Sequence, residues 1–379
     1  MGLGLLLSAG HARSVAPRDT NIILKDPRAF KTICYSGYRD GQGPGWAEPN
    51  EAQVREDLTL MKKFTHEIRT YGSGKGGHGY LVPKVADELG LTVHLGVWVD
   101  NTYDEAVNIA AVNDAIALLR EGHKSIKSVI VGNEFMLRVR HPELTTKPNV
   151  KPDPAVEEAR LVNYIKLVKA ALPKGVEITS AETWSDVRDN SDAILNQLDY
   201  VIWHTHPWWE YQNISGAVTY VASRQQIIKD RVAKVGGKRL VLGETGWPTR
   251  ATRGPAVGSP ENQTRFFKEL TTWGFDTYSE FWTFTSFDET WKDAEGEVGG
   301  HWGLWYSNRQ PLPVINALNT LYPKYMWSEN PGNISTGVRG PQVRISPRLS
   351  ATGPIDALGR AVEKLSARHR AAGAMLLAR

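Results

Sequence analysis

Two glutamates stand at the ends of two short apolar runs. Ser128-Val129-Ile130-Val131-Gly132-Asn133 leads into Glu134. Leu240-Val241-Leu242-Gly243 leads into Glu244, which Thr245-Gly246-Trp247-Pro248 follows. Each run has the length and composition of a strand buried on both faces, with a glycine near its polar end that removes side-chain bulk. A carboxylate at the mouth of such a strand does little for packing. Two of them are the minimum equipment for cutting a glycosidic bond. On the residues alone, either glutamate could be the acid or the nucleophile. Carboxyl groups about 5–5.5 Å apart would imply double displacement with retention, and about 6.5–9.5 Å would leave room for water and imply inversion. Asn133 offers a donor and an acceptor at the same rim, suited either to a sugar hydroxyl or to its own backbone.

The elements that must carry this pair can be read from periodicity. Eight short apolar strands fall near residues 32–36, 67–71, 92–97, 128–132, 176–180, 200–204, 239–243 and 278–284. Helical patterns lie between them, over 51–64, 80–89, 104–121, 154–172, 186–198, 216–234 and 260–273, with 312–321 after the last strand. In the first of these Val54, Leu58, Met61 and Phe64 share one face. Eightfold strand–helix alternation over about 300 residues predicts a single-domain (β/α)₈ TIM barrel, spanning 31–327, and not two domains. Glu134 then ends strand four and Glu244 strand seven, on opposite sides of the face where barrel enzymes keep their catalytic groups.

Composition narrows the rest. A 379-residue chain with 41% apolar and 23% charged residues is ordinary for a globular protein. It has no run of 18 apolar residues, hence no membrane-spanning helix is expected. The net charge of +4 belongs to the end of the chain: residues 331–379 carry eight Lys/Arg and two Asp/Glu, a local +6 that leaves −2 elsewhere. Basicity therefore makes no case for a nucleic-acid partner. The one cysteine, Cys34, excludes an internal disulfide and is expected to pack in strand one. Thirteen tryptophans are unusual, and several follow predicted strands: Trp98, Trp184, Trp208, Trp209, Trp247, Trp291, Trp302 and Trp305. Flat indole faces suit sugar rings, although packing of the barrel accounts for tryptophans equally well.

The two ends read differently from the middle. Residues 1–12 form a short apolar stretch with a small-x-Ala site but no basic lead, like an incomplete signal peptide, which points to a secreted, periplasmic or cell-envelope protein. From 328 the pattern turns to Gly, Pro, Ser and Arg, as in a flexible basic tail, with a short amphipathic helix conceivable over 355–378.

Val131-Gly132-Asn133-Glu134 and Gly243-Glu244-Thr245-Gly246-Trp247-Pro248 resemble the two signatures of glycoside hydrolase family 17, the β-1,3-glucanase family. Ile68-Arg69-Thr70-Tyr71, Asn262-Gln263-Thr264 and Phe287-Asp288-Glu289-Thr290-Trp291-Lys292 resemble further family segments, so the similarity runs over about 32–325. The resemblance implies a retaining enzyme with Glu134 as general acid/base, its pKa raised, and Glu244 as ionised nucleophile. The expected substrate-binding residues are Asn133, Arg69, Tyr71, Glu182, Trp184, His206, Trp247, Glu289 and Lys292, the last two on the resemblance alone. The resemblance also implies a β-glucan substrate, no metal or organic cofactor, and a monomer.

Some alternatives stay open. Arg69 and Tyr71 could merely buttress Glu244, Glu182 could be a salt-bridge partner, and Glu289–Lys292 a surface ion pair. His206 stands where plant members carry a tyrosine, and could bond Glu244 as the phenol would. His204-x-His206 on one strand face is also half a metal site, with no third ligand of evident spacing. The loop Tyr38–Pro44 is unlike the plant version and resembles bacterial members, some of which transfer glucan chains. A glucanosyltransferase, or a glucan-binding barrel without chemistry, is therefore the rival to hydrolysis.

Overall fold

Strongly β-branched, apolar segments alternate with helices along the chain, and the strands pair in order until the last meets the first. The computed structural model describes residues 30–318. Its strands are β1 (Phe30–Cys34), β2 (Thr65–Arg69), β3 (Thr92–Val97), β4 (Ile126–Asn133), β5 (Glu177–Thr183), β6 (Val201–His204), β7 (Leu240–Thr245) and β8 (Glu280–Thr283). All pair in parallel, β1 with β2 on one side and β8 on the other, which closes an eight-stranded barrel. The intervening helices are α1 (Glu51–Met61), α2 (His78–Leu89), α3 (Glu105–Glu121), α4 (Phe135–Arg140), α5 (Pro154–Lys169), α6 (Trp184–Asp189), α7 (Asp192–Leu195), α8 (Ala217–Ala233) and α9 (Pro260–Thr277). Residues 313–318 are helical as well. The expected TIM barrel is the observed fold. The 1–29 segment and the tail from 328 lie outside the described residues.

Local chemistry sets the helix starts. Asn50 and Gln53 form a reciprocal capping box at α1. Pro154 opens α5 behind Asp153, whose side chain accepts from Ala155 N. Two apolar cores result. The larger lies between strands and helices, with Val54, Leu58, Val112, Leu161, Ile228 and Phe266 among its fully buried members. The smaller fills the barrel itself with Cys34, Ile130, Ala181, Tyr200, Ile202, Val241 and Trp282. Cys34 is thus the packing group expected, and burial pushes its thiol up to about 12. A short antiparallel hairpin, 252–253 with 256–257, decorates the loop after β7. Among the described residues no helix is long and apolar enough to cross a membrane.

Candidate active site

Glu134 and Glu244 emerge from β4 and β7, with only β5 and β6 between those strands on that side of the ring. Glycine fixes how close they come. A Cβ on Gly243 would meet Ile202 Cγ2 at 2.2 Å, so only glycine lets β7 lie against β6 at that point. Glu134 itself adopts the left-handed conformation, with φ 53°, and starts α4 there. That geometry is uncommon for a residue with a Cβ and costs of order 1–3 kcal/mol. Its amide donates to Ala181 O at 2.7 Å, which helps hold it.

One imidazole spans the gap. His204, at the end of β6 and 1% exposed, places Nδ1 3.0 Å from Oε1 of Glu134 and Nε2 3.7 Å from Oε1 of Glu244. One oxygen from each glutamate and one ring nitrogen all lie within 4.8 Å of one another. His206 brings Nε2 to 3.4 Å from the other oxygen of Glu244. Arg69, on β2 and 1% exposed, lies beneath them. Its Nη1 is 2.9 Å from Oε1 of Glu244, but its donors go elsewhere: Nη1 to His204 Nε2 at 3.0 Å and Gly243 O at 2.9 Å, Nη2 to Asn133 Oδ1. Oε1 of Glu244 therefore feels the guanidinium charge while receiving no directed hydrogen bond.

Burial opposes charge on Glu244, yet its neighbours, the Arg69 guanidinium and the His206 hydrogen bond among them, outweigh it and hold the carboxyl well below the usual range. Burial also pushes Glu134 up, but the contacts with His204 and His206 together outweigh it, and Glu134 lies below its ordinary value too. The expectation of a raised pKa at Glu134 is thus corrected: a donor at 3.0 Å favours the carboxylate. The set Glu134, His204 and Glu244 also supplies the further ligands that the sequence left unseen beside His204-x-His206. In this structure the positive charge among them is already provided by Arg69, which touches two of the three.

The other expected binding residues separate into those at the mouth and those beneath it. His206 keeps 13% of its side chain exposed and Lys292 16%. Lys292 Nζ lies 5.1 Å from the Phe284 ring, which itself packs 5.1 Å from His206. Glu289 is 2% exposed and pairs with Lys292 at 2.7 Å, so that pair is internal, and the surface-pair alternative fails. Asn133 is half-buried, its carbonyl oxygen used by Arg69.

Four assignments to substrate contact are corrected by burial, along with part of a fifth. Arg69 is a buttress of Glu244. Glu182, 2% exposed, accepts the Met136 amide with both oxygens at 3.2 Å and so anchors α4 behind Glu134. Trp247 is fully buried, its indole donating to Val257 O at 2.9 Å. Trp184 is 7% exposed, donates to Glu210, and is flanked by the guanidinium groups of Arg188 and Arg224 at 5.1 and 4.3 Å. Tyr71 packs under the Arg69 guanidinium at 4.8 Å with its hydroxyl buried beside Cys34, which fits the buttress role better than a sugar contact. Of the other tryptophans, Trp98, Trp209 and Trp291 are half-buried, whereas Trp305 lies in the core and Trp208 and Trp302 are all but buried. Sequence reasoning passed over two residues. His204 was legible only as a partner of His206 two positions on, on the same strand face. Trp46, 61% exposed on the loop after β1, carried no periodic signal.

Paired carboxylates at the C-terminal mouth of a closed parallel barrel define a barrel glycosidase. Comparison with known proteins then places it. A family model described as the BtgE/BtgC glycoside hydrolase domain matches residues 32–303, and the chain belongs to that family. It is 26% identical to a glucan 1,3-beta-glucosidase of Arthroderma benhamiae, over 69% of this chain and 83% of that protein. With a protein described as "Probable glucan endo-1,3-beta-glucosidase btgC" of Aspergillus fumigatus it shares 24% identity over 70% of its own length, but spans only 40% of that relative. Among solved structures, a Rhizomucor miehei beta-1,3-glucanosyltransferase mutant in complex with laminaritriose superposes with a TM-score of 0.63 at 22% identity, covering 76% of this chain and 96% of that one. An endo-laminarinase from Formosa Hel1_33_131 gives 0.64 at 20% identity, covering 79% and 89%. The family-17 resemblance read from the two glutamate motifs holds, and the protein is a glycosidase.

Proposed function

We propose that the protein cleaves β-1,3-glucosidic bonds of a glucan by double displacement, with Glu244 as nucleophile and Glu134 as general acid/base. The carrying observation is the pair itself: oxygens of the two glutamates within 4.8 Å, too close to admit a water and a sugar between them, which favours retention. Glu244, held ionised by Arg69 and His206, attacks the anomeric carbon. The bond to the leaving oxygen breaks as Glu134 gives that oxygen its proton, and a glycosyl ester forms on Glu244. Glu134, now a carboxylate, takes a proton from water, whose oxygen displaces Glu244 with the β configuration restored.

The contacts support these roles, since the Arg69 guanidinium lies 2.9 Å from Glu244 Oε1 and favours its ionised form, as a nucleophile requires. Substrate that excludes water from the mouth removes solvation from Glu134 and drives it toward the protonated form. The β-1,3 linkage is the reading favoured by the names of the relatives. The action belongs outside the cytoplasm, where such polymers lie.

The deciding experiment is incubation with a ladder of β-1,3-gluco-oligosaccharides, read by product length and by anomeric NMR. First products of β configuration and shorter than the substrate are expected. An α product would overturn the retaining mechanism. Products longer than the starting sugar would assign glucanosyl transfer, and no turnover would leave a binding barrel.

A further inference from the structure

We propose that His204 fixes which oxygen of Glu134 carries the transferable proton. The inference rests on the acid/base role given to Glu134 above and adds an atom-level assignment to it. An arginine side chain has donors and no acceptor. Arg69 Nη1 lies 3.0 Å from His204 Nε2, so that nitrogen accepts and bears no hydrogen. The ring's one N–H is then on Nδ1, and it points to Oε1 of Glu134 at 3.0 Å. Oε1 is an acceptor in that bond and cannot hold a second proton along it. The proton that moves to and from the sugar therefore resides on Oε2.

The lock is built from rigid parts. His204 and Arg69 are each 1% exposed, and Arg69 is itself tied to Gly243 O and Asn133 Oδ1. The charged or titratable groups facing the ring are Arg69 from β2, Glu134 after β4, Glu244 from β7, and His206 two residues along β6. Were the tautomer reversed, Nε2–H would face the guanidinium hydrogens, and Oε1 would become the protonated atom, aimed into the ring and away from substrate. Both half-reactions use the same oxygen: Oε2 releases its proton to the departing glycosidic oxygen and then accepts one from water, while Oε1 stays bonded to His204 throughout. His204 is thus a positioning residue acting through Glu134.

The test has two arms. In the first, ¹⁵N-histidine NMR of the intact wild-type protein, with His204 assigned by the spectrum of His204→Gln, should show a hydrogen on Nδ1 and none on Nε2. A proton on Nε2 overturns the proposal whatever the activity. In the second, His204→Phe and His204→Gln are compared on a β-1,3-oligosaccharide and on a dinitrophenyl β-glucoside, whose leaving group needs no acid. His204→Phe should lower kcat on the oligosaccharide about 100-fold, in the range general acid catalysis supplies. Its pre-steady-state burst of dinitrophenolate should fall at least about tenfold less than the oligosaccharide rate, because that leaving group needs no acid. Glutamine, whose amide can accept from Arg69 and donate to Glu134, should restore at least about a tenth of the lost rate. Equal loss on both substrates, or no rescue by glutamine in a folded variant, sinks the proposal. Glu134→Gln run on the same two substrates separates the premises: if it fails to discriminate between leaving groups, the acid/base assignment has failed, and not the tautomer.

Discussion

Toward the N-terminal end of the barrel, His94 lies 2.9 Å from Glu67 Oε2 and 2.7 Å from Ser128 Oγ, which in turn reaches the Tyr200 hydroxyl at 2.8 Å. Lys127 takes the other oxygen of Glu67, and Lys31 and Arg239 share Glu280. At the mouth the same residue types recur as Arg69, Glu134, His204, His206 and Glu244. The lower network is a serine–histidine–glutamate line in composition, yet every one of those side chains is matched. The upper one leaves Glu244 Oε1 and His206 Nδ1 buried without hydrogen-bond partners. A buried polar atom without a partner costs about 1–3 kcal/mol, and in the upper network such atoms border the proposed nucleophile itself. Residue types alone do not separate a structural network from a reactive one; these two differ in how completely their side chains are paired.

Mutations should break the two ends in opposite ways. The largest effect is expected from Glu244→Ala or Glu134→Ala, which should lower turnover on a β-1,3-oligosaccharide by on the order of 10³-fold or more while circular dichroism and melting temperature stay near wild type. Undiminished cleavage by Glu244→Ala would remove the nucleophile assignment. Arg69→Met should cost roughly 10²–10³ in kcat, because the charge beneath Glu244 is lost.

Glu280→Gln should do the reverse, leaving kcat per folded molecule unchanged but costing stability. Burial raises the Glu280 carboxyl, and Lys31 and Arg239 more than reverse this, to about 2 against a usual 4.5. A depressed folded value contributes stability that is present above pH 4.5 and lost as pH falls toward 2. The contribution at neutral pH is on the order of 3 kcal/mol. Melting followed from pH 7 to 2 should therefore show an acid decline that the variant largely lacks.

The pH profile of kcat/KM should sharpen the contrast. Glu134 must be protonated to act, and the His204 bond holds it below its ordinary value. Activity of the free enzyme should accordingly fall as pH rises past the carboxylate range, and a flat profile to pH 8 would contradict the role. The smallest effect concerns tryptophan. Trp291→Ala should raise KM severalfold, whereas Trp247→Phe, losing one buried hydrogen bond, should cost about 1 kcal/mol of stability with KM unchanged.

Periodicity carried the architecture because buried parallel strands and amphipathic helices differ in period and length. Thr92–Val97 was legible to the residue, and α1, α3, α5 and α8 to within a few positions. The predicted helix 186–198 divides into α6 and α7, since Asn190 and Ser191 are extended and restart the helix. Helix α4 was not legible at all: it depends on the left-handed turn at Glu134, which leaves no mark on an apolar pattern. The two catalytic candidates could be read because a carboxylate after a buried strand conflicts with packing. Glu182 and Trp247 misled for the same reason, as polar or aromatic groups near a strand end can equally anchor a neighbouring backbone from below. His204 escaped because its importance lies in the space between β4 and β7, which sequence order does not encode.

Gly243 carries one further lesson. Adding a single methyl group there would leave the chemistry untouched in principle, yet it would wedge β6 and β7 apart against Ile202 and disturb the carbonyl that Arg69 and Cys34 share. The spacing of β6 and β7 is therefore gauged by a missing atom. An engineer seeking to stiffen this barrel by replacing glycines should leave this one in place.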